Sequence, residues 1–260
     1  MNHDATIERL YILDGGIAQV DDASIYSPGF NVGKAMTLSC NAYLIRHRGR
    51  WMLWDTGTPD ELIDEPEGRI IAHGIRGSIS KTIASQLREI GVEPDEIGTL
   101  ALSHAHYDHV GNCRLFRKAE WIAQRAEYEA MFGADPAALG FELELYETLR
   151  DNKLRLIEGD HDVYGDGAVR IIFTPGHTPG HCSLLLNLPK AGRVLLSGDV
   201  AHNRRNFQCR CVPSFNVDAL QSISSMNRVE ALLDAEGATL FVNHDVVQNA
   251  ALPHAPEWLS

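Results

Sequence analysis

The sequence predicts a mixed α/β protein folded as a single domain over residues 1–260, and three observations carry that expectation. Short β-type runs alternate with helical periodicities along the chain. Several of those runs end in a turn that holds a histidine or an aspartate. Residues 169–173 lead into Thr174-Pro175-Gly176-His177-Thr178-Pro179-Gly180-His181, residues 194–196 into Ser197-Gly198-Asp199, and residues 239–242 into Asn243-His244-Asp245. A hairpin pattern also occurs twice. Tyr43-Leu44-Ile45, a basic Gly turn and Met52-Leu53-Trp54-Asp55-Thr56-Gly57 read as strand, turn, strand, acidic turn, and residues 183–188 and 194–199 around Lys190-Ala191-Gly192-Arg193 read the same way.

Early strands are expected over 8–13, 41–46 and 50–55. Residues 21–38 contain Gly and Ser with little periodicity, so a long loop is expected there. Ser80 is placed to cap a helix running to Glu89, with Ile79, Ile83, Leu87 and Ile90 on one stripe and Gly91 beyond its end. A short helix near 113–117 and a strand over 120–124 follow, then helical patterns over 125–132 and 136–150. The last helix spans 218–235, with Leu220, Ile223, Met226, Val229 and Leu233 facing inward and Gly237 past its C-terminus.

The run Ser103-His104-Ala105-His106-Tyr107-Asp108-His109-Val110-Gly111-Asn112 packs three histidines and one aspartate into six positions. Imidazole and carboxylate together suit Zn²⁺ and similar first-row cations. One four-coordinate ion cannot take all four side chains and keep an open position. Two neighbouring ions can, if the H-x-H pair serves one and the Asp-His pair the other. Such a pair of ions implies a bridging hydroxide and hydrolysis. The downstream turns at His177, Asp199 and His244 supply partners, because strand ends gathered at one sheet edge are a natural place for a site.

With these motifs the sequence resembles the metallo-β-lactamase superfamily, through its H-x-H-x-D-H signature, and within it the N-acyl homoserine lactonases. The resemblance runs from the first strand to His244-Asp245. It implies an αββα sandwich with the site at one edge between two sheets. It also implies that His104, His106 and His177 bind a first metal, that Asp108, His109 and His244 bind a second, and that Asp199 bridges them. The implied cofactors are two divalent ions, with Zn²⁺ favoured and Fe²⁺, Mn²⁺ and Co²⁺ also able to accept these donors.

The implied reaction is hydrolysis of the lactone ring of an N-acyl homoserine lactone, a small-molecule substrate. Asp108, a carboxylate beside the hydroxide, is expected to relay its proton to the leaving alkoxide. One position departs from the family. Many of these lactonases carry a tyrosine three residues after the bridging aspartate, whereas Asp199-Val200-Ala201-His202 puts an imidazole there. His202 is expected to donate the same hydrogen bond to the substrate carbonyl. Asp55 matches an aspartate that orients a ligand, and His181 and Asp245 are candidates for the same work. His73 lies in a Gly-flanked stretch expected to form a mobile rim, and His3, His47, His161 and His254 are expected on the surface. Phe30, Met36, Met131, Phe132 and Phe141 are the candidates for an acyl groove.

Composition excludes other classes. A formal net charge of −12 argues against a phosphate-binding surface, so no nucleic-acid partner is expected. The cluster His47, Arg48 and Arg50 is broken by Gly49 and reads as a solvated hairpin turn, and Arg204-Arg205 is too short for a nucleic-acid patch. No apolar stretch approaches the roughly 20 residues that cross a membrane, and residues 1–9 lack a signal-peptide core. Five cysteines without framework spacing fit the cytoplasm. Cys113 and Cys182 read as packing residues behind the site, and Cys209 and Cys211 as loop or core cysteines. The resemblance allows a homodimer, which no residue demands.

Competing functions share the ligand set. A butyrolactone or pyridoxolactone is an alternative substrate. A glyoxalase II-type thioesterase carries a further basic helical domain after the last ligand, where only residues 245–260 follow here. A persulfide dioxygenase with one iron does not need Asp108, His109 and His244 together, and exported β-lactamases carry a leader.

Overall fold

The computed structural model describes residues 7–260; His3 lies outside them. Eight strands form one sheet: β1 (Ile7–Val20), β2 (Met36–His47), β3 (Arg50–Trp54), β4 (Arg69–Ile70), β5 (Arg76–Ser78), β6 (Ile97–Ala101), β7 (Glu120–Gln124) and β8 (Leu154–Ile157), in the spatial order β4-β5-β1-β2-β3-β6-β7-β8. Five form a second: β9 (His161–Asp162), β10 (Val169–Phe173), β11 (Cys182–Leu188), β12 (Gly192–Leu196) and β13 (Thr239–Phe241), in the order β13-β12-β11-β10-β9. The helices are α1 (Ile83–Ile90), α2 (Tyr107–Val110), α3 (Arg125–Met131), α4 (Leu143–Tyr146), α5 (Arg204–Cys209), α6 (Ala219–Glu236) and α7 (Val246–Asn249).

Strand alternation builds four layers from these pieces, because successive side chains point to opposite faces of a sheet. Leu10, Ile12, Tyr43, Ile45, Met52 and Trp54 face the second sheet and pack against Ile171, Leu184, Leu186, Val194 and Leu196. Their neighbours Tyr11, Leu13, Leu44 and Leu53 face the other way and bury Ile83 and Leu87 of α1, Met131 of α3 and Tyr146 of α4. On the far side of the second sheet, Ile172, Leu185 and Leu195 receive Met226 and Val229 of α6. Each such buried aliphatic contributes about 1.5–3 kcal/mol, so the central layer outweighs any single surface contact. This is the αββα order expected from the resemblance.

The repeated hairpin is a structural repeat. β2 and β3 are antiparallel, and β3 then pairs in parallel with β6; β11 and β12 are antiparallel, and β12 then pairs in parallel with β13. The carboxyl ends of β6, β12 and β13 therefore come to one edge, which is where crevices for ligands form.

Several expected boundaries move, each for a local reason. The first strand continues through Gly15 and Gly16 to Val20, and the expected loop over 21–38 shortens, since β2 already starts at Met36. Thr82, not Ser80, caps α1, its side chain accepting from Ser85 N–H, while Ser80 Oγ turns to Asp14. The helical pattern over 136–150 is not one helix: Gly140 takes the left-handed conformation (φ 77°) after the 3₁₀ turn Pro136–Leu139, and α4 restarts beyond it. In α6 the inward stripe begins at Ser222 rather than Leu220, which is 81% exposed. Ser225 Oγ donates to Pro175 O (2.6 Å), so a polar anchor sets the rotation of this helix.

Candidate metal centre

Four turns converge on Asp199. The segment between β6 and α2 delivers His104 and His106, and α2 itself delivers Asp108 and His109. The turn between β10 and β11 brings His177, the turn after β12 brings Asp199 and His202, and the turn after β13 brings His244. All eight residues expected at the site are thereby gathered.

The two oxygens of Asp199 divide them. Oδ1 lies 2.9 Å from His244 Nε2 and 3.2 Å from His109 Nε2. Asp108 Oδ2 closes that side, 3.7 Å from His109 Nε2 and 3.8 Å from His244 Nε2. Oδ2 of Asp199 lies 3.1 Å from His202 Nε2, 3.3 Å from His177 Nε2 and 3.8 Å from His104 Nε2. His106 Nδ1 joins this second group, 2.9 Å from His177 Nε2.

The turn geometry is written in small residues. In the Thr-Pro-Gly-His-Thr-Pro-Gly-His run, Gly176 (φ +129°) lets the backbone of Ser222 approach so closely that a Cβ would meet its nitrogen at 2.4 Å. A Cβ on Gly180 would meet Glu127 N at 2.2 Å. Both glycines are thus required by close approach, which seats the His177 turn between α6 and α3.

The distal ring nitrogens are held from behind. Asp55, buried and left-handed at φ 59°, accepts from Ser103 N–H at 2.6 Å and from Ser103 Oγ at 2.9 Å, and its Oδ2 lies 2.9 Å from His109 Nδ1. A left-handed non-glycine residue is strained, and Asp is among the few that tolerate it. Ser103 Oγ is also 3.0 Å from His104 Nδ1. His177 Nδ1 meets Asn216 Oδ1 at 2.8 Å, His106 Nε2 meets the carbonyl of Leu139 at 2.9 Å, and His244 Nδ1 meets that of Ser39 at 2.6 Å. His181 orients Asp199 through the backbone, its Nε2 accepting from Asp199 N–H (2.7 Å). Asp245 instead caps α7 and pairs with Arg204, so it orients no ligand.

Glu127 was not legible as a site residue. In the first turn of a predicted helix an acidic side chain reads as solvated, yet here it is buried and accepts from Ala105 N–H (3.0 Å), Thr178 Oγ1 (2.8 Å) and Gly180 N–H (2.8 Å). It clamps the two histidine turns together. Burial, only partly offset by those three donors, pushes its carboxyl up to about 7.

The electrostatics fit divalent cations. Burial holds His104, His106 and His177 below the usual imidazole range, which keeps them in the neutral form that binds metal. Burial works to raise Asp199, but His244, His109 and His202 overcome it and keep the carboxylate ionised. His109 and His244 are pushed up despite burial by Asp108 and Asp199, so this side of the centre attracts positive charge. His109 Nε2 is buried and, among the described residues, makes no hydrogen bond, though it faces two carboxylates. Neutral imidazoles, ionised carboxylates and an unpartnered buried nitrogen are the donor set that a divalent cation satisfies.

A cavity of about 420 Å³ opens onto Asp108, Asp199, His202 and His244. Its walls are mostly apolar: Tyr26, Leu38, Ile71, Ile75, Leu139 and Phe215 among them. None of the expected groove residues lines it. Met131 and Phe141 are buried beneath the first sheet, Phe132 packs beside them, Met36 packs in a small cluster with Tyr26 and Leu38, and Phe30 is exposed. Phe141 reaches the site only by touching the His106 ring (5.4 Å). His73 is a wall residue rather than a free rim, stacked on Phe215 at 5.2 Å. His47 is fully buried, 2.9 Å from Asp166, and not on the surface. Cys209 and Cys211 form a disulfide, whereas Cys40, Cys113 and Cys182 are free and buried.

The sequence profile of the metallo-β-lactamase superfamily matches residues 35–244. An N-acyl homoserine lactonase of Bacillus thuringiensis is 31% identical over 261 residues, covering 98% of this chain and all of the relative. The chain belongs to the metallo-β-lactamase superfamily, in its N-acyl homoserine lactonase group. A second lactonase of that group, AttM of Rhizobium radiobacter, is 30% identical across 96% of this chain and 98% of its own. Among solved structures, an N-acyl homoserine lactone hydrolase with the product N-hexanoyl-L-homoserine at its catalytic metal centre superimposes with a TM-score of 0.86 at 28% identity, over 98% of this chain and all of the other. The metallo-β-lactamase fold thus accounts for the four layers and for the edge on which the turns meet. No helix among the described residues is long and apolar enough to cross a membrane.

Proposed function

We propose that this chain opens the lactone ring of N-acyl homoserine lactones by hydrolysis at a centre of two divalent cations, with Zn²⁺ the favoured metal. The observation that carries the reading is the apolar cavity that ends on Asp108 and Asp199, in a chain related over its full length to lactonases. His104, His106 and His177 would hold one cation, Asp108, His109 and His244 the other, and Asp199 both. Bound there, such cations supply Lewis acidity toward a carbonyl and acidify water at neutral pH.

The side chains do the rest. Among the three side chains proposed for the second cation, Asp108 is the most open to the cavity, its side chain 20% exposed while His109 and His244 are nearly covered. Its carboxylate takes the proton of the attacking water and returns it to the alkoxide released from the ring. Cys40 Sγ donates to Asp108 Oδ2 at 3.2 Å and fixes the direction of the carboxylate. His202 acts through Nε2, the nitrogen that faces Asp199. Ile71, Ile75, Leu139 and Phe215 shed water from the acyl chain, which places the polar ring at the carboxylates. A cytoplasmic setting is part of the proposal; three buried thiols stay reduced, and the Cys209–Cys211 disulfide is the one cysteine pair that departs from the state expected there.

Proton release on mixing metal-loaded protein with N-acyl homoserine lactones of several chain lengths tests this, with a lactoylglutathione thioester alongside. Turnover of the lactones is expected, falling by about 10²–10⁴-fold in kcat for Asp108→Asn. Turnover of the thioester alone would move the assignment to a thioesterase.

A further inference from the structure

We propose that His202 Nε2 is itself a protein donor to the first cation, beside His104, His106, His177 and Oδ2 of Asp199. This rests on the dinuclear reading above and changes the role first expected for His202, a hydrogen bond to the substrate. Five donors would then come from the chain on that side, where the family's pattern supplies four.

The partition of Asp199 is the main observation. Three imidazole Nε2 atoms face its Oδ2, and the shortest approach belongs to His202 at 3.1 Å, against 3.3 Å for His177 and 3.8 Å for His104. One nitrogen of His177, one oxygen of Asp199 and one nitrogen of His202 all lie within 4.8 Å of one another, the spread of donors around a single ion. The ring has no freedom to point elsewhere. It stacks on His244 (5.2 Å, 11° between planes), lies 4.8 Å from Tyr26 and meets Phe215 edge-on at 5.8 Å. Nε2 faces the centre, and Nδ1 is buried.

His202 also differs from the other five imidazoles in a way that sets the strength of its bond. Each of those has a serine, asparagine, aspartate or backbone carbonyl at its distal nitrogen. His202 Nδ1 has no hydrogen-bond partner among the described residues. A partner at that nitrogen raises the basicity of a metal-binding imidazole and fixes its tautomer. Behind its Nε2 only rings hold His202, so it is the weakest donor on its side and the one that yields when a substrate oxygen arrives.

Cadmium-113 NMR on the full chain loaded with ¹¹³Cd²⁺ tests the assignment without relying on turnover. Coupling from one cadmium to the ring protons of His202 is expected, as well as to those of His104, His106 and His177. In His202→Gln that coupling disappears, and competition with a chelator should show one of two cations bound about ten-fold more weakly. Circular dichroism of the metal-free variant checks that it folds, and the wild-type spectrum stands whether or not it does. Coupling to the other five histidines but not to His202 would overturn the proposal. So would unchanged affinities in His202→Gln with a lower kcat/KM, which would return His202 to a substrate contact. A wild-type chain that binds no cadmium would overturn the dinuclear reading itself.

Discussion

The two sides of the centre are built from different material. Around Asp199 Oδ1, His109 and His244 are braced by groups inside the sandwich: Asp55 just past β3, Ser103 just past β6, and the Ser39 carbonyl within β2. Around Oδ2, His104 shares Ser103 with the core side, but His106 and His177 lean on the carbonyl of Leu139 and the amide of Asn216, both in segments outside the sheets. Leu139 and its neighbour Gly140 also wall the cavity, as does Phe215 beside Asn216. The first arrangement ties metal binding to the core. The second ties it to the surface that meets the substrate, so changes in acyl preference and in the first cation should travel together.

The largest effect that separates the two sides is expected from Asp55→Asn. The substitution removes a buried charge opposite His109 and turns an amide N–H toward either Ser103 or the imidazole. Losing such a partner typically costs 10–100-fold in metal affinity. Chelator competition should show that loss for one cation, with the ranking of substrates by acyl length unchanged. A reordered ranking would show that the core side also shapes the pocket.

Glu127→Gln tests the clamp between the His104–His106 and His177 turns through pH. Burial raises the carboxyl from 4.5 to about 7 in the folded chain. The folded state therefore holds this proton more tightly than the unfolded state. Its stabilising contribution is complete below about 4.5 and is lost as pH rises through about 7, because stability falls wherever the native state binds more protons. At 1.36 kcal/mol per unit the change is at most roughly 3 kcal/mol. Urea unfolding of metal-free protein at several pH values should show the wild type losing stability relative to Glu127→Gln between about 4.5 and 7, then running parallel. A constant difference over that range would mean that Glu127 is ionised throughout.

These contrasts also explain what could be read in the chain beforehand. The chemistry sits on turns whose residue types are unusual, so His104, His106, Asp108, His109, His177, Asp199, His202 and His244 stood out and were gathered as expected. Alternation in the strands was equally plain, since Leu44 and Leu53 must face away from Tyr43, Met52 and Trp54. The groups that hold those histidines were less visible. Glu127 and Asn216 belong to residue types that normally face water, and only tertiary approach through Gly180 and Gly176 brings them to the site. The cavity wall departs from the expected groove residues for a similar reason. Met131 and Phe141 carry the apolar bulk a groove needs, but α3 and the segment leading into α4 bury it on the underside of the first sheet. The wall falls to smaller or lone residues such as Ile71, Ile75 and Phe215, which have no periodicity to announce them.

The smallest expected effect comes from the loop side. Phe215→Ala removes the ring that stacks on His73 (5.2 Å) and meets His202 edge-on (5.8 Å), leaving Asn216 and the histidine donors in place. Aromatic pairs of this kind contribute about 0.5–1.5 kcal/mol beyond the area they bury. A wall contact with one methylene of a substrate discriminates by about 1–3 kcal/mol. The variant should therefore raise KM for long acyl chains several-fold, with a smaller change for the shortest. If loop and first cation are coupled as the geometry indicates, the cation beside His202 should also be held slightly less tightly, because Phe215 is one of the rings that aim His202 Nε2 at Asp199. Steady-state kinetics over an acyl series, paired with cadmium competition on the same preparation, reads both effects. A shift in KM with no change in either affinity would separate the pocket from the centre and confine the loop to substrate selection.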